Sequence, residues 1–168
     1  IAIGHTRWAT HGKVLLENTH PILSENVAVV HNGIIENHDQ IRLELKEKNV
    51  VFETSTDTEV IPHLLSISKK KTNNFFDACV SVVKKIEGAY AFAAIHSLKE
   101  EIFVARKTSP LVLGLGDGYN IVGSDAQSIS QMVDEVIYLN DGDYAILNKT
   151  QIQIYDSDNK KVEREKIN

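Results

Sequence analysis

The sequence has very little cysteine and proline: of 168 residues, one is cysteine and three are proline. A single cysteine cannot form a disulfide within the chain or supply a zinc site built from several thiolates. No apolar run approaches the roughly 20 residues of a membrane-spanning helix. No secretory signal is visible, so the sequence predicts a soluble, cytoplasmic protein with no membrane partner.

Positive charge is also scarce. The chain has 18 Lys and Arg against 23 Asp and Glu, which gives a formal net charge of -5. Nucleic-acid binding needs clustered basic residues, so this balance argues against nucleic acid as a partner. The length and the hydrophobic content of 42% indicate one globular domain, residues 1–168, with its own core.

Short apolar runs separated by turn residues are what the chain has in quantity. The runs "IAIGH", "VAVVHN", "GAYAFAAIH", "EIFVAR", "PLVLGLG", "YNIVGSD", "EVIYLN", "DYAILN" and "TQIQIYD" are typical of β-strands. The connections "GLGDGYN", "LNDGDY" and "LNKTQ" predict hairpins and therefore a mainly antiparallel arrangement. The final "KKVEREKIN" is interpreted as an edge strand or a tether.

Three stretches have helical spacing instead. The first, "ENHDQIRLELKEK", begins with Asn37 and Gln40 at the spacing of a cap pair. The second, "TSTDTEVIPHLLSISKKK", begins with a predicted capping box from Thr56 to Glu59. The third, "NNFFDACVSVVKKIEG", ends at a predicted stop, Gly88. Strands and helices together predict an α+β fold.

Histidines are concentrated near the start of the chain, which raises the question of a metal site. Ligand pairs on helices usually lie three or four residues apart with an acidic partner, and this set has neither feature, so no metal is expected. His5 and His31 end apolar runs, where a structural hydrogen bond is the commoner role. The five histidines within the first 38 residues are His5, His11, His20, His31 and His38.

Arg7 and Asp57 are candidates for holding a free amino acid. A guanidinium group matches a carboxylate in shape, and an aspartate can hold an ammonium group. The residues alone leave alternatives open. Arg7 could form a surface ion pair, and Asp57 lies in a first helical turn, where the helix dipole favours an acid.

The stretch "VVHNGIIEN" also allows two interpretations. Asn-Gly after an apolar run is typical of a hairpin turn, and the residues alone favour that turn. Alternatively, the Asn32 carboxamide and the Gly33 backbone N–H form an oxyanion hole. No convincing nucleophile accompanies them, because Cys79 lies on the apolar face of its helix, where burial disfavours the thiolate.

Taken in order, "GHTRWATHG", "VVHNGIIEN" and "TDTEVI" resemble the glutaminase domains of the glucosamine-6-phosphate synthase family of class II glutamine amidotransferases. The resemblance continues through "GAYAFAAI", "SPLVLGLG" and "SDAQSI" and covers nearly the whole chain. It implies an α+β, N-terminal-nucleophile hydrolase-like fold: a four-layer αββα sandwich of mainly antiparallel sheets, here expected to be incomplete at its N-terminus.

The resemblance also implies binding roles for individual residues. Arg7 matches the residue that clamps the glutamine α-carboxylate, and Asp57 matches the one that holds the α-amino group. Thr10 and His11 match the loop that closes over glutamine, and Trp8 matches a residue implicated in gating ammonia. Glutamine or glutamate is therefore the expected ligand, with no cofactor and no metal.

The same resemblance assigns the oxyanion hole to Asn32 and Gly33. The family nucleophile is an N-terminal Cys whose own α-amine acts as the base, whereas this sequence opens with Ile1. We therefore expect the nucleophile upstream of Ile1 and a sugar isomerase domain downstream. The 168 residues alone would bind glutamine without hydrolysing it.

The resemblance implies that the whole enzyme transfers ammonia from glutamine to fructose-6-phosphate, which gives glutamate and glucosamine-6-phosphate. Two alternatives stay open: an amidotransferase with a different acceptor, and a non-catalytic glutamine-binding module. An exposed edge at "IAIGH" would also allow two copies to pair as a homodimer.

Overall fold

A computed structural model describes residues 1–6 and 15–168, which form three α-helices and two β-sheets. The α-helices are α1 (His38–Lys46), α2 (Val60–Thr72) and α3 (Phe75–Val83), with 3-10 turns at Leu16–Asn18 and Asp57–Glu59. The strands are β1 (Ile22–Ser24), β2 (Val27–Ile35), β3 (Gly88–His96), β4 (Ile102–Lys107), β5 (Val112–Gly116), β6 (Tyr119–Gly123), β7 (Glu135–Tyr138), β8 (Tyr144–Leu147), β9 (Ile152–Tyr155), β10 (Lys161–Val162) and β11 (Lys166–Ile167).

Both sheets are antiparallel throughout, as the hairpin signals predicted. The first sheet has the strand order β1-β2-β3-β4-β8-β9-β10, and the second has the order β11-β7-β5-β6. The connections "GLGDGYN" and "LNKTQ" are hairpins between β5 and β6 and between β8 and β9. The tail supplies edge strands to both sheets, since β10 pairs with β9 and β11 pairs with β7.

Strand β3 shows how one sequence pattern buries two different faces. Tyr90 and Phe92 belong to the core between the first sheet and the three helices. Ala91 and Ala93 face the opposite way, into the core shared with the second sheet. Side chains alternate across a strand, so "AYAFA" puts its aromatic rings against the helices and its methyl groups against the second sheet.

The outer face of the second sheet is covered by a run of turns, residues 124–134. Ile129 from this run is buried, and a Cβ added at Gly114 of β5 would lie only 2.9 Å from Val133. The layers are therefore helices, first sheet, second sheet and turn segment. This order is consistent with the predicted four-layer α+β sandwich.

Two strand predictions are wrong. Residues 1–6, including "IAIGH", form no strand. The "LNDGDY" connection is not a hairpin, because β7 belongs to the second sheet and β8 to the first. This connection instead carries the chain from one sheet to the other, and Arg164 pairs there with the buried Asp143 carboxylate at 2.7 Å.

Asn37 is the N-cap residue of α1, but its predicted side-chain pairing with Gln40 is absent, and so is the predicted capping box of Thr56 and Glu59. The Asn37 side chain donates to the Lys85 carbonyl and accepts from the Glu87 N–H, so it joins the start of α1 to the segment before β3. Helix α2 begins at Val60, so Pro62 falls in its first turn, where a missing N–H costs little.

Gly88 does not stop α3, which ends at Val83, but opens β3 with φ of +120°.

Candidate functional site

Strand β2 runs through Asn32 and Gly33 without turning, so the hairpin prediction for "HNG" is wrong. Asn32 pairs with Ala91 and Gly33 with Tyr90 in the continuous ladder between β2 and β3. Gly33 has φ of +107°, and a Cβ at that position would lie 2.0 Å from the Ala89 carbonyl oxygen. Glycine is required here by a close backbone approach inside a strand rather than by a turn.

A cavity of about 490 Å³ opens beside Asn32. Its walls come from residues 2–6, from β2 and β3, and from the end of β6 with the turn segment that follows. His5, on the first of these walls, places its Nε2 2.7 Å from the Asn32 Oδ1. The carboxamide that the sequence assigned to an oxyanion hole is therefore at a cavity wall and held by a specific partner.

His31, the residue before Asn32, is buried and neutral. Burial lowers the pKa of His31 to about 4; the charge of Asp57 opposes this shift and His5 adds to it. The His31 Nδ1 hydrogen-bonds to the Thr58 hydroxyl at 2.8 Å. This bond ties β2 to the 3-10 turn that begins at Asp57.

Asp57 is itself buried, with 3% of its surface exposed. Its Oδ2 accepts a 2.7 Å hydrogen bond from the Ile35 N–H, three residues along β2 from Asn32. Two hydrogen bonds thus fasten the turn to β2, one through Asp57 and one through Thr58. The strand that presents the carboxamide of Asn32 also fixes the carboxylate expected to hold an ammonium group.

Glu59 organises the chain leading into this turn, and sequence reasoning assigned it the wrong partner. Its two carboxylate oxygens accept from the N–H groups of Glu53 and Thr54, at 2.7 and 2.8 Å, and from the Thr54 hydroxyl. Burial raises the pKa of Glu59, but hydrogen bonds from His63, Glu53 and Thr54 outweigh it and bring the pKa to about 2. Glu59 is therefore a fixed anion beneath the turn, not part of a capping box with Thr56.

The remaining sequence-predicted site residues lie outside the described part of the chain, whereas Cys79, which the sequence argued against as a nucleophile, lies within it. Four binding candidates lie at positions 7–14, outside the described residues: Arg7, Trp8, Thr10 and His11. Cys79 is fully buried in the core, and burial raises the pKa of its thiol, which agrees with its interpretation as a structural residue.

Within residues 1–6 and 15–168, no three His, Cys, Asp or Glu side chains are placed to hold a metal ion. None of the described helices is long and apolar enough to cross a bilayer.

The same architecture occurs in solved amidotransferase structures. The glutamine phosphoribosylpyrophosphate (PRPP) amidotransferase from B. subtilis, complexed with ADP and GMP, matches 91% of this chain with a TM-score of 0.76 and 26% identity, over 34% of its own length. A glutamine aminotransferase class-II domain protein from Silicibacter pomeroyi, 15% identical, shares the fold with a TM-score of 0.55 over 84% of this chain and 71% of its own. The α+β sandwich is thus the fold of the N-terminal-nucleophile amidotransferases.

Sequence comparisons define the family. Residues 5–131 match the model of the glutamine amidotransferase domain, and the chain belongs to this family. It is 47% identical to the glutamine–fructose-6-phosphate aminotransferase [isomerizing] of Idiomarina loihiensis and 46% identical to that of Pseudomonas putida, over 99% of its length in each case. The chain spans 28% of the length of these curated relatives.

Proposed function

We propose that this chain is the glutamine-hydrolysing domain of an enzyme that transfers the glutamine amide nitrogen to fructose-6-phosphate. The observation that carries the proposal is the arrangement on β2, where Asn32 lines the cavity and Asp57 is fastened three residues further along. The relatives named as glutamine–fructose-6-phosphate aminotransferases support the choice of acceptor.

In this proposal glutamine enters with its side-chain amide toward Asn32 and Gly33. The Asp57 carboxylate holds the α-ammonium group of glutamine, and the Arg7 guanidinium holds its α-carboxylate. Trp8, Thr10 and His11 complete the binding site, as their resemblance to the family loop implies. Ion pairs to both charged groups on the α-carbon would discriminate glutamine from simple amides, because each partner requires an opposite charge.

The chemical step needs a nucleophile and a place for negative charge. An N-terminal Cys, supplied by the longer protein, attacks the amide carbon, and the carbonyl oxygen becomes an oxyanion. The Asn32 Nδ2 and the Gly33 N–H donate hydrogen bonds to that oxyanion. The α-amine of that Cys, acting as the base, takes the thiol proton and passes it to the amide nitrogen, which leaves as ammonia as the thioester forms. Water then hydrolyses the thioester to glutamate and returns the thiol.

The longer protein would carry the sugar isomerase domain that receives this ammonia, and the reaction would take place in the cytoplasm without a cofactor. Homodimer formation through residues 1–6 is not part of the proposal, because that segment forms no strand. A different acceptor is the second candidate, and the similarity to the 26% identical PRPP amidotransferase structure favours it.

An isotope-transfer experiment on the full-length protein tests the proposal. Glutamine labelled with ¹⁵N in the side-chain amide is supplied with either fructose-6-phosphate or PRPP as the acceptor. We expect ¹⁵N in glucosamine-6-phosphate and none in a phosphoribosylamine. Label in the phosphoribosylamine would establish the other acceptor, and no release of label from glutamine would contradict the glutaminase assignment altogether.

A further inference from the structure

We propose that His5 is a positioning residue for the oxyanion hole: it holds the Asn32 carboxamide with its oxygen turned away from the substrate and its NH₂ group free to donate. The inference rests on the proposed function, because it concerns the same reaction. Its basis is a chain of contacts that leaves β2 at His31 and returns to β2 at Asn32.

The hydrogen bond between His5 and Asn32 couples the orientation of the carboxamide to the tautomer of His5. The Asn32 Oδ1 lies 2.7 Å from the His5 Nε2, and an amide oxygen can only accept. His5 must therefore carry a proton on Nε2. With His5 in this tautomer, turning the carboxamide over would bring an NH₂ group against the Nε2–H, and two donors at this distance repel. The flipped orientation therefore requires the other tautomer of His5 as well.

The His5 ring is supported by a second ring that β2 itself holds. The His31 N–H donates to the His20 Nδ1 at 3.4 Å, which fixes His20 against the strand. The His20 and His5 rings then contact each other with centroids 4.6 Å apart. Two neighbouring residues of β2 thus hold both ends of the contact chain, one through its backbone and one through its side chain.

The orientation matters because the two ends of a carboxamide have opposite electrostatic signs. With Oδ1 bound to His5, Nδ2 is the end left to donate to a developing oxyanion. A flipped Asn32 would present its oxygen there and destabilise the transition state. Preorganised donors are effective because they need no reorientation during the reaction, so a loosened Asn32 loses rate even when glutamine still binds.

Two substitutions at His5 separate the hydrogen bond from the ring contact. His5→Phe keeps a ring against His20 but has no donor, whereas His5→Gln removes the ring and keeps an N–H donor of similar reach. In the full-length protein we expect His5→Phe to lower the glutaminase kcat about 10- to 100-fold with the KM for glutamine within about twofold. His5→Gln should recover most of that loss.

A double substitution with Asn32→Ala tests the route of the effect. If His5 acts through Asn32, then adding His5→Phe to Asn32→Ala should cause no further fall in kcat. His38→Ala is the matched control, because it removes a histidine that does not line the cavity. Thermal unfolding checks each variant, and His5→Leu, which also lacks a donor, replaces His5→Phe if the latter does not fold.

The outcomes distinguish this inference from the function on which it rests. An unchanged kcat in the variant without a donor, an effect confined to KM, or full additivity with Asn32→Ala would each overturn the positioning role while wild-type glutaminase activity stands. A wild-type protein that releases no ammonia from glutamine would overturn the proposed function, and the positioning role would fall with it.

Discussion

At the scale of single residues, three consecutive residues of β2 are each tightly restrained: His31, Asn32 and Gly33. Gly33 approaches the Ala89 carbonyl too closely for any side chain, and His31 stays neutral because it is buried. Asn32, between them, lines the cavity with its oxygen bound by His5. The close approach of Gly33 to Ala89 restricts where the strand lies, and the hydrogen bond from His5 restricts which way the Asn32 carboxamide points.

A comparison of Gly33→Ala with Gly118→Ala separates the steric cost of an added Cβ from the cost of positive φ. Gly33→Ala places a Cβ 2.0 Å from a backbone oxygen at positive φ, and we expect a loss of about 3 kcal/mol or more in the free energy of unfolding. Gly118 also has positive φ, but nothing lies within 4 Å of a Cβ there, so Gly118→Ala should cost only about 1 kcal/mol. Urea unfolding of the 168-residue chain measures both, and equal losses would contradict the close-approach argument.

At the scale of elements, the turn Asp57–Glu59 determines where the buried carboxylate of Asp57 lies. Asp57 accepts a hydrogen bond from the Ile35 N–H, and the Thr58 hydroxyl is hydrogen-bonded to the His31 ring, so the turn is fastened to β2. Glu59 accepts from the backbone of the chain that enters the turn. The sequence spacing of Thr56 and Glu59 correctly indicated a helix start nearby. It could not indicate the partners of Glu59, because residues 53 and 54 fold back only in the tertiary structure.

Glu59→Gln should weaken this turn. An amide in place of the carboxylate sets an NH₂ group against one of the donating N–H groups, and we expect a loss of about 2–3 kcal/mol in the free energy of unfolding. The pKa of Glu59, about 2 in the folded chain, lies below its usual 4.5. Its contribution to stability is therefore complete above about pH 4.5 and is lost as the pH falls toward 2.

Chemical denaturation across this pH range tests both statements. The Gln variant should lack that part of the acid dependence, since it has no carboxyl group to protonate at this position. Glu44→Gln, which changes an exposed partner of Lys85, is the control and should alter stability little. Identical pH profiles for Glu59→Gln and the wild type would rule out the anionic role of Glu59.

At the scale of the whole molecule, three segments of the described chain join the sheets: residues 108–111, residues 139–143 and residues 163–165 of the tail. Short apolar runs predicted most of the strands, because most of the strands have buried residues. The sheet to which a strand belongs was not predictable at β8, since "NDG" marks a turn without fixing its partner strand. Likewise, "HNG" is typical of a turn, but in the structure it pairs with β3 as part of a strand. The sequence could not show this, because the close neighbour of Gly33, the Ala89 carbonyl, is distant in sequence.

Removing Arg164 should loosen the crossing between the sheets. Its guanidinium forms two hydrogen bonds to Asp143, at 2.7 and 2.9 Å, and that carboxylate is only 2% exposed. Arg164→Ala leaves a buried charge unpaired, so we expect a loss of about 3 kcal/mol in the free energy of unfolding. Lys166→Ala, which breaks an exposed pair with Glu135 two residues further on, should cost less than about 1 kcal/mol. Similar losses for the two variants would contradict a structural role for the Arg164–Asp143 pair.

The central claim is that the strand through Asn32 and Gly33 stabilises an oxyanion while Asp57 holds the amino acid. The most direct test is the steady-state glutaminase kinetics of Asn32→Ala in the full-length protein, compared with Asp57→Asn. We predict that Asn32→Ala lowers kcat about 100-fold or more with little change in KM, whereas Asp57→Asn acts mainly on KM. A wild-type kcat in Asn32→Ala would contradict the claim.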